Sequence, residues 1–306
     1  MIDVSIITLN YNSTAYTLQC IKSIEEKTAE QVNFEVVVVD NQSDEDNYAS
    51  LKRASFKPNV RLVFSKQNLG FAGGMMLGLQ HASPARYYLF LNNDCVFEND
   101  CLSVLLDFMN RELKAGLVTA QMYNSEGRQV HSFTHFQTLT KMLFGVGLLR
   151  FFHPNRYPHR KGIYTQPLKV DTIAGSFMFF RAETLSLTGG LDTRYFLYCE
   201  EEDASMRTKL AGYEVYLVPE ARFTHFEGKS TVTNFATKRE YFISLMQYQQ
   251  KFFSKPVQLV FRLLYAVKVG KKFYKDSKYL ALAWFIFNGA NPSKSLRYKQ
   301  SINLSR

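Results

Sequence analysis

The sequence predicts an α/β fold: a mixed sheet flanked by helices, followed by a helical, basic C-terminal extension. Three observations predict it. Short β-branched runs alternate with stretches of helical periodicity through the N-terminal half, the signature of a sheet fed by crossover helices. Acidic residues cluster directly behind apolar strands, at the edge where such a sheet gathers its ligand. The positive charge is concentrated in residues 251–306.

Val4 to Leu9 reads as the first strand. Thr14 to Glu26 places Leu18, Ile21 and Ile24 on one side of a helix, with Asn12 or Ser13 as its cap. Phe34 to Val39 is a nearly solid β-branched run, as a parallel strand buried on both faces requires. Val60 to Phe64 and Tyr87 to Leu91 add two strands, separated by a Gly-rich turn and a helix from about Gly74 to His81. The order is β-α-β-α-β-α-β. A helix over Asp100 to Glu112 and a strand over Gly116 to Met122 follow. Tyr123 to Lys169, with Pro154, Pro158 and Pro167, reads as a long irregular insertion. It either faces an acceptor or is a loop without chemical role. Strand character returns over Val170 to Arg181, a helix with acidic residues at its start runs from about Glu202 to Ala211, and Glu214 to Val218 is the last strand. From Phe235 the pattern is helical, which divides the chain into residues 1–234 and 235–306.

Hydrophobic residues make up 46%, aromatics 15% and charged residues 21%, which excludes a disordered chain and a disulfide miniprotein. The net charge is +10, yet residues 251–306 hold twelve Lys or Arg against Asp276 alone, leaving residues 1–250 near −1. That asymmetry points to an anionic surface met by the C-terminal segment and away from nucleic acid bound across the protein. Cys20, Cys95, Cys101 and Cys199 form no CxxC pair and suit free thiols in a reducing compartment. Met1 to Asn10 lacks a signal-peptide pattern. No stretch reaches about 18 apolar residues without a charge, so the expectation is a cytoplasmic protein, peripheral at the inner face of the cell membrane.

Three acidic clusters carry candidate chemistry: Asp40 after the second strand, Asp94 within Leu91-Asn92-Asn93-Asp94 after the fourth, and Glu200-Glu201-Glu202-Asp203 leading into a helix. Each alone could be a turn former or helix cap. Three at the ligand edge of one sheet are hard to assign to capping. A nucleotide-diphosphate leaving group needs a divalent cation held by one or two carboxylates, and an acceptor hydroxyl needs a carboxylate base.

The ordered series Val4-Ser5-Ile6-Ile7-Thr8-Leu9-Asn10-Tyr11-Asn12, Val39-Asp40-Asn41-Gln42-Ser43, Asn68-Leu69-Gly70-Phe71-Ala72-Gly73-Gly74 and Leu91-Asn92-Asn93-Asp94 resembles family 2 glycosyltransferases, within them the rhamnosyltransferase and galactofuranosyltransferase-like branch. The similarity continues through Val170-Asp171, Gly175-Ser176-Phe177, Tyr195 to Asp203 and Gly212-Tyr213, and ends at His225 and Gly228-Lys229-Ser230. It covers roughly the first 250 residues. The resemblance implies a GT-A, Rossmann-like fold and an inverting transfer of a sugar, rhamnose favoured, from a dTDP- or UDP-sugar to a saccharide or lipid-linked acceptor. It also implies roles. Thr8, Asn10 and Tyr11 line the nucleoside pocket and Asp40 binds the base or ribose. Asn68, Phe71 and Gly73 pack on the nucleotide and sugar, with Asn92 and Asn93 beside them. Asp94 and His225 hold Mg²⁺ or Mn²⁺, the first acidic position of the family's D-x-D motif being Asn92 here. Glu201 is the base, where relatives usually carry Asp, with Glu200 as its substitute. Asp171, Lys238 and Arg239 are expected at a phosphate or at the acceptor.

Pro256 to Asp276 reads as a helix with Lys268, Lys271, Lys272 and Lys275 near one side, suited either to an anionic membrane interface or to packing on the catalytic part or on a second copy in a homodimer. Two rival readings are a non-catalytic sugar-nucleotide-binding relative and a sugar-phosphate nucleotidyltransferase. The latter normally opens with a Gly-rich basic loop, which Leu9-Asn10-Tyr11-Asn12-Ser13 is not.

Overall fold

A computed structural model of the protein describes residues 1–226 and 234–303; Gly228-Lys229-Ser230 of the expected motif series lies outside them. In chain order the elements are β1 (Ile2–Asn10), α1 (Thr14–Lys27), β2 (Phe34–Asp40), α2 (Glu45–Arg53), β3 (Val60–Phe64), α3 (Gly70–His81), β4 (Ala85–Asn92), β5 (Cys95–Phe97), α4 (Cys101–Arg111) and β6 (Ala115–Tyr123). There follow β7 (Phe133–Thr134), α5 (Leu139–Phe152), β8 (Leu168–Lys169), β9 (Thr172–Ile173), β10 (Phe177–Arg181), α6 (Ala182–Thr188), α7 (Glu200–Leu210) and β11 (Glu214–His225). The chain closes with α8 (Phe235–Phe252), α9 (Lys255–Gly270), α10 (Lys278–Phe287) and two short 3₁₀ turns, Pro292–Lys294 and Leu296–Lys299.

Among the described residues, the main sheet runs β3-β2-β1-β4-β10-β6-β11-β5, with β8 on β11. The first four strands are parallel. β10 enters antiparallel between β4 and β6, making the sheet mixed as expected. Alternation along the strands feeds two cores. Val4 and Ile6 of β1 with Val36 and Val38 of β2 face α1 and α4, whereas Ile7, Val37 and Val39 face α3 and α6. Each fully buried Val or Ile here contributes about 1.5–3 kcal/mol. α3 lies so close to the sheet that a Cβ at Gly78 would stand 2.9 Å from Val39 Cγ2. A third core joins α8, α9 and α10 to Tyr195 and Cys199. α9 buries Phe261, Tyr265 and Val269 at i, i+4, i+8 spacing.

Several expectations are corrected. The Tyr123 to Lys169 stretch, expected to be irregular, contains β7, α5 and β8. α5 is capped by the Thr138 side chain and kinked at Gly145, φ 72°, and that break hides its periodicity. The strand expected over Val170 to Arg181 is two strands separated by residues 174–176. α3 and α7 begin earlier than expected, and β11 continues to His225. The helix expected to reach Asp276 ends at Gly270, where a 3₁₀ turn over Lys271–Tyr274 leads towards α10. All four cysteines are buried free thiols. Among the described residues no helix is long and apolar enough to cross a membrane.

Candidate active site

A cavity of about 580 Å³ opens at the carboxyl ends of β1, β2 and β4. Of the expected donor residues, Tyr11, Asn68, Phe71, Asn92 and Asn93 line it. Thr8, Asn10, Asp40 and Gly73 do not. Asn10 and Asp40 are partners in the parallel β1–β2 register, and both are fully buried. The Asn10 amide donates to Asp40 Oδ2 at 2.9 Å and to Ser43 Oγ at 3.1 Å, while Ser43 N–H donates to Asp40 Oδ1 at 3.1 Å. These two side chains brace the wall instead of facing the cavity. The Thr8 hydroxyl is likewise enclosed in protein.

The next wall depends on backbone geometry. Gly70 has φ +73°, and a Cβ there would overlap the Phe196 carbonyl, so glycine is required. Phe71 N–H donates to that same carbonyl at 2.8 Å. Asn41 holds the turn from the other side: its amide donates to Asn68 Oδ1 and to the Gly70 carbonyl, both at 3.1 Å, and its Oδ1 accepts Leu69 N–H at 2.9 Å. Asn93 ties the end of β4 to α1 through Ser13 Oγ at 2.7 Å and Thr17 Oγ1 at 2.8 Å.

β5 and β11 pair antiparallel with His225 opposite Cys95. That register carries His225 Nε2 to 3.0 Å from Asp94 Oδ1, across 131 residues of sequence. Asp94 is 2% exposed and Asn92 Nδ2 lies 3.5 Å from the same imidazole nitrogen. Cys95 completes a cluster of groups able to ligate a metal. Burial, and then the Asp94 charge, push its thiol pKa well up and so disfavour the thiolate. The thiol donates to the Ser176 carbonyl at 3.6 Å, while Asp94 and His225 pair with each other. A carboxylate oxygen and an imidazole nitrogen this close, with donor phosphate oxygens to complete the shell, fit a hard divalent cation.

The acidic run sits at the start of α7, behind Tyr198 and Cys199, which both hold left-handed backbone at φ 72° and 67°. Such conformations are costly for residues with a Cβ and are kept where the surroundings enforce them. Glu200 is 6% exposed, and Glu201 is partly exposed. Desolvation raises the pKa of both carboxyls and so disfavours their charged forms; the neighbouring Glu201 charge adds to the rise at Glu200. A Cβ at Gly175 would lie 3.6 Å from Glu201 Cβ and 3.8 Å from Glu200 Oε1. The next residue, Ser176, accepts Asn92 N–H at 2.9 Å. The acid pair and the Asn92–Asp94 turn therefore flank one short segment, residues 175–176. Asp203 holds the fold together instead, fully buried between Lys251 at 2.6 Å and Arg207 at 2.6 Å.

The three residues expected at a phosphate or the acceptor separate. Asp171 pairs with His135 at 3.6 Å and Lys209 at 3.8 Å. Burial opposes its ionisation, but the His135 hydrogen bond and the Lys209 charge outweigh it and hold the carboxyl below its ordinary range. A carboxylate so engaged is a bridge between β9's approach and α7. Lys238 points to Tyr279, whose hydroxyl accepts from it at 2.9 Å. Arg239 Nε is buried without a hydrogen-bond partner among the described residues.

The profile of Glycosyl transferase family 2 matches residues 5–187. The chain belongs to this family. Rhamnosyltransferase WbbL of Escherichia coli K12 is 29% identical over 140 residues, 46% of this chain and 52% of that protein. The N-acetylglucosaminyl-diphospho-decaprenol L-rhamnosyltransferase of Mycobacterium tuberculosis H37Rv is 25% identical over 210 residues, 64% of this chain and 67% of that protein. The chain thus spans about half the length of the first relative and two thirds of the second. Among solved structures it is similar to GalNAc-T7 with UDP, GalNAc and Mn²⁺, at a TM-score of 0.59 and 13% identity over 83% of this chain and 49% of that one. At that identity the likeness shows the fold, which is GT-A.

The cavity also has a second wall, built from residues beyond the matched 5–187. Phe196 and Leu197 precede α7, Asn234 and Thr237 open α8, and Leu296 and Gln300 come from the end of the chain. The terminal strap is fastened at three points. Glu240, 1% exposed, accepts Ser295 Oγ–H and Leu296 N–H, each at 2.7 Å. Gln42 donates to the Ser301 carbonyl at 2.8 Å, and Asn303 N–H to the Lys66 carbonyl at 2.8 Å.

Proposed function

We propose that this chain transfers a sugar, rhamnose favoured, from a dTDP- or UDP-linked donor to a hydroxyl of a lipid-linked or surface-polysaccharide acceptor, with inversion at the anomeric carbon. Residues 1–234 are the catalytic domain in this reading. The observation that carries it is the placement of a buried Asp94–His225 pair and a desolvated Glu200–Glu201 pair on either side of residues 175–176, beside the strand-end cavity. The names of the two bacterial relatives support rhamnose.

In this mechanism Tyr11, Asn68 and Phe71 hold the nucleotide in the cavity, and Asn10 and Asp40 keep its wall in place. Asp94 and His225 would hold Mg²⁺ or Mn²⁺, which when bound neutralises the leaving diphosphate. Glu201 takes the acceptor hydroxyl proton as the oxygen attacks from the face opposite the diphosphate. Desolvation makes its carboxylate the stronger base once ionised. Glu200, beside it and more deeply buried, keeps the pair from carrying two charges at once.

The outer faces of α9 and α10 expose Leu259, Leu263, Val267, Leu280, Trp284 and Phe287, with Lys271, Lys272, Lys275 and Lys278 exposed at the turn between them. Apolar side chains edged by lysines suit the headgroup layer of an anionic leaflet, which supports peripheral attachment at the inner face of the cell membrane. Flotation with anionic liposomes tests it, and no binding at low salt rejects it.

Calorimetric titration with dTDP, UDP, GDP and CDP, each with and without Mn²⁺, tests the transfer reading. Selective binding of dTDP or UDP that Mn²⁺ strengthens, and that His225→Ala no longer lets Mn²⁺ strengthen, is the expected result. A folded chain that binds none of the four rejects it in favour of an inactive relative.

A further inference from the structure

Three ammonium groups converge on one pair of rings outside the acid cluster. Phe235, at the start of α8, and Tyr279, at the start of α10, pack edge to face with centroids 5.2 Å apart. Lys238 Nζ lies 4.8 Å from the Phe235 centroid and 5.0 Å from that of Tyr279. Lys278 Nζ is 5.6 Å over Phe235, and Lys272 Nζ 6.0 Å over Tyr279. The ion pairs that lysines form among the described residues involve other lysines. The adjacent acid, Asp276, gives its Oδ1 to the backbone N–H of Lys278. Like charges gathered this way repel, and ring faces offset only part of the repulsion. The positive field is felt at Tyr279, whose hydroxyl is drawn below its ordinary range by the Lys238 hydrogen bond and by the charges of Lys238, Lys272 and Lys275.

Beside this cluster lies a second cavity of about 210 Å³, walled by Tyr198, Thr237, Lys238, Tyr241 and Phe242. Thr237 also lines the large cavity, so the two share it as a wall residue. Tyr198 stands two residues before Glu200.

We propose that Lys238, Lys272 and Lys278 bind the phosphate or diphosphate ester of the acceptor, and that the aromatic cavity takes the saccharide between that group and the donor. This rests on the transfer reading above for its orientation, although the anion site is defined by its own residues. A lone phosphate and a lipid-linked ester share the chemistry, and two probes separate them.

The test is calorimetry on the full chain with farnesyl diphosphate, inorganic pyrophosphate and farnesol, with and without saturating UDP. Lys238→Gln, Lys272→Gln, Lys278→Gln and the triple variant are compared with the unaltered protein, and near-ultraviolet circular dichroism checks that each is folded. Farnesyl diphosphate is expected to bind in the presence of UDP and to weaken by about tenfold or more in the triple variant, from the loss of three partly solvated charge contacts. The affinity for UDP itself is expected to hold. Unchanged farnesyl diphosphate affinity in a folded triple variant overturns the proposal. Pyrophosphate binding as tightly as the ester, and lost equally, overturns its assignment to a lipid-linked acceptor. A chain that binds no nucleotide yet loses farnesyl diphosphate in the triple variant overturns the donor reading and leaves this site standing.

Discussion

Replacing Glu202 by Gln is expected to change how the stability of the protein depends on pH. Glu202 is 7% exposed on α7, and its Oε1 accepts the Gln137 N–H at 2.6 Å, fastening the segment that leads into α5. Burial pushes its carboxyl from an ordinary 4.5 up to about 7, against the opposing pull of the Gln137 N–H and of Lys141. A carboxyl raised on folding favours the fold while protonated. That contribution is complete below the unfolded value and is lost as pH rises through the folded one. Between about pH 5 and pH 8.5 the loss integrates to roughly 2–3 kcal/mol. Glu202→Gln keeps an oxygen to accept the Gln137 N–H and cannot ionise. Urea unfolding of both chains at the two pH values should therefore move the stability difference towards the variant by roughly 2–3 kcal/mol. Glu200 and Glu201 titrate in both chains, and because the Glu201 charge raises Glu202, the difference between the two profiles reports Glu202 together with that coupling. Parallel pH profiles for the two chains would refute the reasoning, because Glu202 would then be ionised in the fold at no cost.

Glu201→Ala should lower transfer by about 10² to 10⁴-fold with nucleotide affinity retained, the range for losing a general base; unaltered turnover removes Glu201 from that role. Glu240→Ala should free the strap at Ser295 and Leu296 and raise the Kd for the bound nucleotide by about tenfold, the equivalent of one to two lost charge-assisted hydrogen bonds spread over a wall. An unchanged Kd would mean that the strap does not support the cavity. Gly70→Ala should lower stability by about 2 kcal/mol or more, because it adds a left-handed backbone penalty to an overlap with the Phe196 carbonyl. Gly212→Ala, with φ +85° and open space around its Cβ, isolates the backbone part at about 1–2 kcal/mol. Equal losses at the two glycines in urea unfolding would remove the overlap from the account.

Much of the N-terminal sheet was legible in the residues themselves, because its information is local. The β-branched run at Val36 to Val39 can be buried on both faces only as an inner strand, and the turns behind Asp40 and Asp94 mark where strands end. Charge separation along the chain isolated the basic helices in the same way. Other features depend on contacts that leave little trace in a local window. α5 was missed because Gly145 and Gly147 interrupt its periodicity. The bracing roles of Asn10 and Asp40 follow from parallel register between β1 and β2, and composition is silent about register. The strap reaches the cavity through Glu240, Gln42 and Lys66, and only the folded chain shows that its last residues return to the first strands. Lys238 was expected at a phosphate or the acceptor and Lys272 near one side of a basic helix, but only the packing of Phe235 on α8 against Tyr279 on α10 gathers them with Lys278. Local patterning determined the parallel strands β1 to β4, since burial and backbone preference act within a few residues. The cavity wall, the Asp94–His225 pair and the lysine cluster were decided by packing and strand register, which bring together groups that chain order holds apart.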